Sequence, residues 1–138
     1  STDLSAFKSR GGKLVMYTGL ADPVVPPQAV VNYYERVTAA MGGRARTDSF
    51  FRFFPVPGMA HCRGGVGPNT FDALQTLEQW VEKDDVPRFM IATHTTGQRV
   101  DRSRPLCPYP QKARYKGTGS TDIAANFACV DPGSAPRR

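Results

Sequence analysis

Two short stretches indicate the fold class: KLVMY at Lys13–Tyr17 and FFRFF at Phe50–Phe54. Short, nearly continuous apolar runs rich in β-forming residues are typical of strands buried on both faces of a parallel sheet. A loop rich in Gly and Pro follows each stretch, at Thr18–Pro26 and at Pro55–Pro68. The sequence therefore predicts two buried strands whose carboxyl ends lead into these loops.

A helical pattern follows each loop. The first predicted helix begins at Pro26 and Pro27 and runs to Met41, where Gly-Gly ends it. The second runs from a cap at Asn69 or Thr70 through Val81, until Asp84-Asp85 and Pro87 stop it. Two successive strand–loop–helix units predict an α/β fold with parallel strands and crossover helices.

Beyond these units the chain loses its hydrophobic periodicity. One more short strand is predicted over Arg88–Thr93, followed by an irregular tail. Cys107 and Cys129 flank this loop-rich segment, and a disulfide between them would supply about 3 kcal/mol of stability that the tail cannot gain from a core. Such a bond indicates an oxidising compartment, whereas the alternative is three free thiols in a cytosolic protein. Cys62 then needs a partner outside this chain or a reason to be free.

The composition is that of one globular domain or a part of one: 138 residues, 40% hydrophobic and 22% charged. No run reaches the roughly 18 apolar residues of a membrane span. The net charge of +6 comes from residues 88–138, which hold nine Lys/Arg against three Asp/Glu. This tail fits no nucleic-acid-binding motif, so we expect neither a nucleic-acid nor a membrane partner.

One ionisable residue stands in each of the two loops, Asp22 in the first and His61 in the second. Because the carboxyl ends of adjacent parallel strands share one edge of a sheet, the two side chains are expected to meet there. An acid followed by a histidine on such loops is the order found after the nucleophile in α/β hydrolases. Taken singly, Asp22 before a proline is typical of a turn or a helix cap, and a lone histidine of a solvated surface residue.

The chain lacks the nucleophile that would complete such a triad. No Gly-x-Ser-x-Gly elbow occurs, and no serine stands between a predicted strand and helix. Cys62 is an alternative nucleophile, but its position directly after His61 makes a hydrogen bond between the two side chains awkward. His94 is predicted to be a surface residue.

Several motifs, in order along nearly the whole chain, resemble the tannase and feruloyl esterase family. They are Asp3–Phe7, Gly12–Leu14, Gly19–Pro23, Tyr33–Val37, Val56–Cys62, Phe71–Asp72, Glu78–Glu82, Arg104–Pro110 and Ala124–Cys129. The stretches PGMAHC and RPLCPYP are the most specific of them. Thr18 departs from the pattern, because family members often have His there, and this leaves the substrate preference open.

The resemblance implies a role for each candidate residue. Asp22 corresponds to the family's catalytic acid and His61 to its base. Cys62 would bond to a cysteine outside this chain, next to the nucleophilic serine, and so hold the base beside the nucleophile. Cys107 would pair with Cys129. The family's oxyanion hole and its calcium-bearing lid would lie upstream, so we expect no cofactor or metal in this chain.

The predicted function is part of a secreted or periplasmic serine esterase that acts on phenolic or aromatic acid esters. Residues 1–138 would form the C-terminal portion of an α/β-hydrolase domain, stapled by a disulfide and inactive without the N-terminal part that carries the serine. The expected partners are that part and a small aromatic ester, with self-association along an uncovered sheet edge in isolation. The alternative is a non-catalytic scaffold or binding fragment with the shape of a hydrolase.

Overall fold

Both predicted strand–loop–helix units are present in the computed structural model, which describes residues 1–134. In chain order the elements of this half are α1 (Ser5–Ser9), β1 (Leu14–Gly19), α2 (Pro27–Ala40), α3 (Arg44–Asp48), β2 (Phe51–Val56) and α4 (Ala73–Lys83). β1 and β2 pair in parallel, with Leu14 beside Phe51 and Gly19 beside Val56. The parallel arrangement is limited to this pair within the described residues.

The ladder between β1 and β2 explains how a proline fits into a buried strand. Leu14 N donates to Phe50 O at 2.8 Å and Leu20 N donates to Val56 O at 2.9 Å. The backbone N–H and C=O groups of the even-numbered residues therefore point toward the partner strand. Pro55 is odd-numbered, and its nitrogen therefore faces away from β1, where no ladder donor is needed.

Two cores cover the two faces of β2, as the sequence predicts for this strand. One core consists of Phe54, Val56, Met59, Met90, Ala92 and Leu106. The other consists of Tyr34, Val37, Phe50, Phe51 and Phe53. Alternate residues of β2 enter opposite cores because successive side chains of a strand point to opposite faces.

β1 is less buried than predicted. Its first three residues are half-buried and Tyr17 is 44% exposed. The reason is that β2 is its only strand partner among the described residues, so its outer edge lies open.

Helix α4 begins later than predicted, because Asp72 and not Asn69 or Thr70 caps it. The Asp72 carboxylate accepts a hydrogen bond from Gln75 N at 2.8 Å. Asp84 in the left-handed conformation ends the helix.

The tail beyond α4 is not irregular, and this prediction was wrong. It forms two antiparallel pairs, β3 (Met90–Thr96) with β4 (Arg99–Leu106), and β5 (Lys112–Tyr115) with β6 (Phe127–Val130). The strand predicted over residues 88–93 corresponds to β3, displaced by two or three residues. Charged residues interrupt β4 and β5, so neither has the apolar pattern of a buried strand, and β6 is only 4 residues long.

The disulfide bond predicted for the tail is present. Cys107, just after β4, is disulfide-bonded to Cys129 in β6, with the Cα atoms 5.5 Å apart. None of the helices within residues 1–134 is long and apolar enough to cross a membrane.

Candidate active site

The loop after β1 is held directly against the loop after β2 by a close backbone approach at Gly19. A Cβ atom at this position would lie 2.3 Å from Met59 O and 2.5 Å from Ala60 O, so the contact leaves no space for a side chain. Ala21 N adds a hydrogen bond to Met59 O at 3.0 Å. The two loops are therefore fixed to each other within a few residues of Asp22 and His61.

The Asp22 carboxylate has two sets of partners. Its Oδ1 accepts hydrogen bonds from Val24 N at 2.7 Å and Val25 N at 2.9 Å, which closes the turn that an isolated Asp-Pro predicts. Its Oδ2 lies 2.8 Å from His61 Nδ1. The turn interpretation and the paired interpretation are both correct, because one oxygen fixes the loop while the other faces the imidazole.

The charged form of Asp22 is the favoured one. Burial raises the pKa of this carboxyl, whose side chain is only 6% exposed. The hydrogen bonds from Val25 and Val24 and the contact with His61 outweigh burial, so that the pKa lies below its ordinary value. Asp22 therefore faces His61 as a carboxylate at neutral pH.

The loop that carries His61 is a tight glycine turn. Ala60 N donates to Gly64 O at 3.0 Å, and Met59 forms an isolated antiparallel bridge with Gly65. A Cβ atom at Gly65 would lie 2.1 Å from Gly58 O, and this residue has a positive φ of 97°. The glycines of this segment therefore let the chain fold back on itself and present His61 at its tip.

The His61 side chain is 47% exposed, although its partner Asp22 is covered. The Nδ1 atom is engaged by the carboxylate, whereas Nε2 has no hydrogen-bond partner within residues 1–134. Such an imidazole is oriented at one nitrogen and accessible at the other, the arrangement required of a general base. The contact between Asp22 and His61 that the two strand ends predict is thus present.

Cys62 follows at the surface as a free thiol. Its backbone is in the left-handed region with φ of 61°, which is uncommon for a residue with a side chain. No hydrogen bond joins its Sγ to His61 in the described part of the chain, so the geometry does not favour Cys62 as a nucleophile activated by His61.

Two polar side chains that the sequence does not single out hold the His61 loop from outside. Asn69 donates from Nδ2 to Gly67 O at 2.8 Å and accepts from Gly64 N at 3.3 Å. Arg102, on β4, donates to Val66 O at 2.8 Å. Asn69 was predicted to be a helix cap, and only the position of β4 identifies Arg102.

His94 was predicted to be a surface residue, and the structure corrects this. Its side chain is 19% exposed, and its Nδ1 lies 2.7 Å from Asp101 Oδ1. Asp101 is the extra residue of a β-bulge, and it also accepts a hydrogen bond from Thr96. This second pair of histidine and carboxylate connects β3 with β4 and shares no residue with the first.

No three His, Cys, Asp or Glu side chains within residues 1–134 are grouped so that they could hold a metal ion.

Comparison with known proteins places these features in a family. Residues 1–130 match the family described as tannase and feruloyl esterase. The chain is 48% identical over 135 residues to mono(2-hydroxyethyl) terephthalate hydrolase of Piscinibacter sakaiensis, a match that covers 96% of this chain and 22% of that protein.

Solved structures give the same result. Feruloyl esterase B from Aspergillus oryzae superimposes with a TM-score of 0.87 at 34% identity, over 94% of this chain and 29% of the other. Tannin acyl hydrolase from Aspergillus niger superimposes with a TM-score of 0.77 at 26% identity, over 94% and 24% respectively. The chain thus spans less than a third of the length of the relatives that it matches.

Proposed function

Because this chain belongs to the tannase and feruloyl esterase family, we propose that it supplies the acid and the base of a Ser-His-Asp triad in a carboxylic-ester hydrolase. The observation that carries the proposal is the 2.8 Å contact between Asp22 Oδ2 and His61 Nδ1, with His61 Nε2 left accessible. His61 takes the proton of a serine as that serine attacks the ester carbonyl, and then returns it to the leaving alcohol. Asp22 holds the imidazole in the required tautomer and stabilises its protonated form.

The serine comes from a part of the protein outside these 138 residues. The chain then forms the C-terminal portion of an α/β-hydrolase domain and is inactive by itself. Cys62 could form a covalent bond to that part, because its thiol is exposed and free, directly after the base His61. A disulfide from Cys62 to a cysteine next to the serine would hold the nucleophile within reach of His61.

The proposed substrate is an ester of a phenolic or aromatic acid. The relatives are named for esters of terephthalic acid, for feruloyl esters and for tannin. In this chain Leu20, Val24 and Val25 are 44%, 68% and 39% exposed around Asp22. They give the surface next to the dyad an apolar character suited to an aromatic acyl group.

The proposed location is outside the reducing cytosol, secreted or periplasmic. The disulfide between Cys107 and Cys129 supports this, because such bonds form and persist in oxidising compartments.

Hydrolysis of an aromatic ester such as methyl ferulate tests the proposal, with the chain alone and with the chain joined to the serine-bearing part. We expect no turnover by the chain alone, and turnover by the joined protein that His61→Ala reduces by about 10⁴-fold or more. His94→Ala is the matched control, because it removes another histidine with a carboxylate partner and should leave turnover intact.

Turnover by the chain alone that survives Cys62→Ala contradicts this assignment. A joined protein that binds the ester without hydrolysing it points instead to the alternative, a non-catalytic scaffold.

A further inference from the structure

A cleft of about 800 Å³ lies between the His61 loop, the start of α2 and the strands β4 and β5. We call it the cationic cleft, because Arg102, Arg104 and Lys112 line it and no Asp or Glu of residues 1–134 does. Its volume is in the range of small-molecule sites. Neither Asp22 nor His61 lines it, although Leu20, two residues before Asp22, does, so the cleft adjoins the dyad without containing it.

The two arginines face the cleft from the same side of β4. Arg102 and Arg104 lie two residues apart and share their strand face with the core residue Leu106. Both donate hydrogen bonds to backbone carbonyls, Arg102 to Val66 O and Arg104 to Ser103 O and Thr121 O. None of the three cations forms a salt bridge in the part of the chain that the structure describes.

The surroundings of Arg104 differ from those of an arginine whose charge is balanced by nearby carboxylates. Burial lowers the pKa of Arg104, the charge of Arg102 lowers it further, and Asp122 only partly opposes this. Arg44 is the opposite case, because Asp48 and Asp131 outweigh burial and raise its pKa. Two guanidinium groups that repel each other in a cleft without a carboxylate favour the binding of an anion.

The rest of the wall is apolar and partly aromatic. Tyr109 and Phe127 line the cleft, and the centroid of the Phe127 ring lies 4.0 Å from the Arg104 guanidinium carbon. Prolines at positions 57, 68 and 105 add flat apolar surface. A hydrated inorganic anion gains nothing from contact with these apolar side chains. A planar ring that carries a carboxylate can contact both the aromatic side chains and the cations.

We propose that the cationic cleft is a second ligand site, specific for an aromatic carboxylate. The carboxylate lies between Arg102, Arg104 and Lys112, and the ring packs against Tyr109 and Phe127. The site does not depend on catalysis by the dyad. A ligand here would nevertheless contact the His61 loop, because Val66 and Gly67 line the cleft.

Nuclear magnetic resonance titration of the 138-residue chain at constant ionic strength tests this site with three probes. Benzoate carries the ring and the charge, benzamide the ring alone, and acetate the charge alone. We expect benzoate to shift the backbone resonances of Val66, Leu106 and Lys112 with saturation. Benzamide and acetate should each bind about tenfold more weakly or worse.

Three variants locate the site. Arg104→Gln and Lys112→Gln should each weaken benzoate binding, the former by about tenfold. Arg99→Gln is the matched control, because it removes the same charge from β4 outside the cleft and should change the affinity less than twofold. If Arg104→Gln does not fold, Lys112→Gln decides.

The proposal is overturned by the absence of saturable shifts, by benzamide or acetate binding as tightly as benzoate, or by Arg99→Gln weakening binding as much as Lys112→Gln does. Shifts confined to Asp22 and His61 also overturn it. None of these outcomes bears on turnover by the joined protein, so this site and the proposed triad stand or fall separately.

Discussion

A methyl group added at Gly19 is expected to force the loop of Asp22 away from the loop of His61. The new Cβ atom would lie 2.3 Å from Met59 O, whereas a carbon and an oxygen normally approach no closer than about 3.3 Å. Both obstructing atoms belong to the backbone, so relief requires the loops to separate by about 1 Å. The contact between His61 Nδ1 and Asp22 Oδ2 would lengthen from 2.8 Å to about 3.8 Å, beyond hydrogen-bonding distance.

In the joined protein, a displacement of about 1 Å at the base would lower turnover by about 10²-fold. The direct assay is the resonance of the His61 Nδ1 proton, which should be observable in the wild-type chain and lost by solvent exchange in Gly19→Ala.

Gly12→Ala is the matched control. Its Cβ atom would lie 2.6 Å from the ring of Phe7, which is 40% exposed and free to turn outward. The His61 resonance should therefore persist in Gly12→Ala. Persistence of the same resonance in Gly19→Ala would refute the argument that the close approach at Gly19 maintains the dyad.

Three further predictions concern stability. Asp22→Asn keeps an acceptor for the turn but loses the charge. Because the pKa of Asp22 is lowered in the folded chain, the wild type should unfold at a higher temperature than the variant at pH 5. This difference should disappear as the pH falls through the lowered pKa, below 3.8. Equal melting temperatures at pH 5 would disprove this. Replacing Cys107 and Cys129 together with serine should lower the free energy of unfolding by about 3 kcal/mol in a urea titration, and the oxidised wild type treated with reductant should show the same loss. Asp72→Ala should cost about 1 kcal/mol through the lost cap of α4, while Asn69→Ala should leave the helix content unchanged.

The sequence predicts β2 well and β1 less well, for a physical reason. β2 is buried on both faces, because Phe51 and Phe53 enter one core while Phe54 and Val56 enter the other. KLVMY has the same apolar character, but its burial depends on a second neighbouring strand, and the described residues provide none. The hydrophobic pattern of a strand shows which side chains can be buried, but it does not show whether neighbouring strands or helices are present to bury them.

The contact between Asp22 and His61 is predictable because it follows from chain order and from the shared edge of parallel strands. The residues that support the loop are not. Arg102 reaches Val66 O only because β4 lies beside the His61 loop, and the charged pattern of β4 gives no strand signal. Asn69 has the residue type of a helix cap, and the actual cap is Asp72, three residues later.

Asp22 and His61 are proposed to act as one unit on a serine supplied from outside these residues. The most direct measurement is ester turnover by the joined protein carrying Asp22→Asn, His61→Ala or both. We expect the double variant to be no slower than His61→Ala alone, because a carboxylate that acts through the imidazole has no effect once the imidazole is removed. Losses that simply add in the double variant, or full turnover in His61→Ala, would contradict the proposed triad.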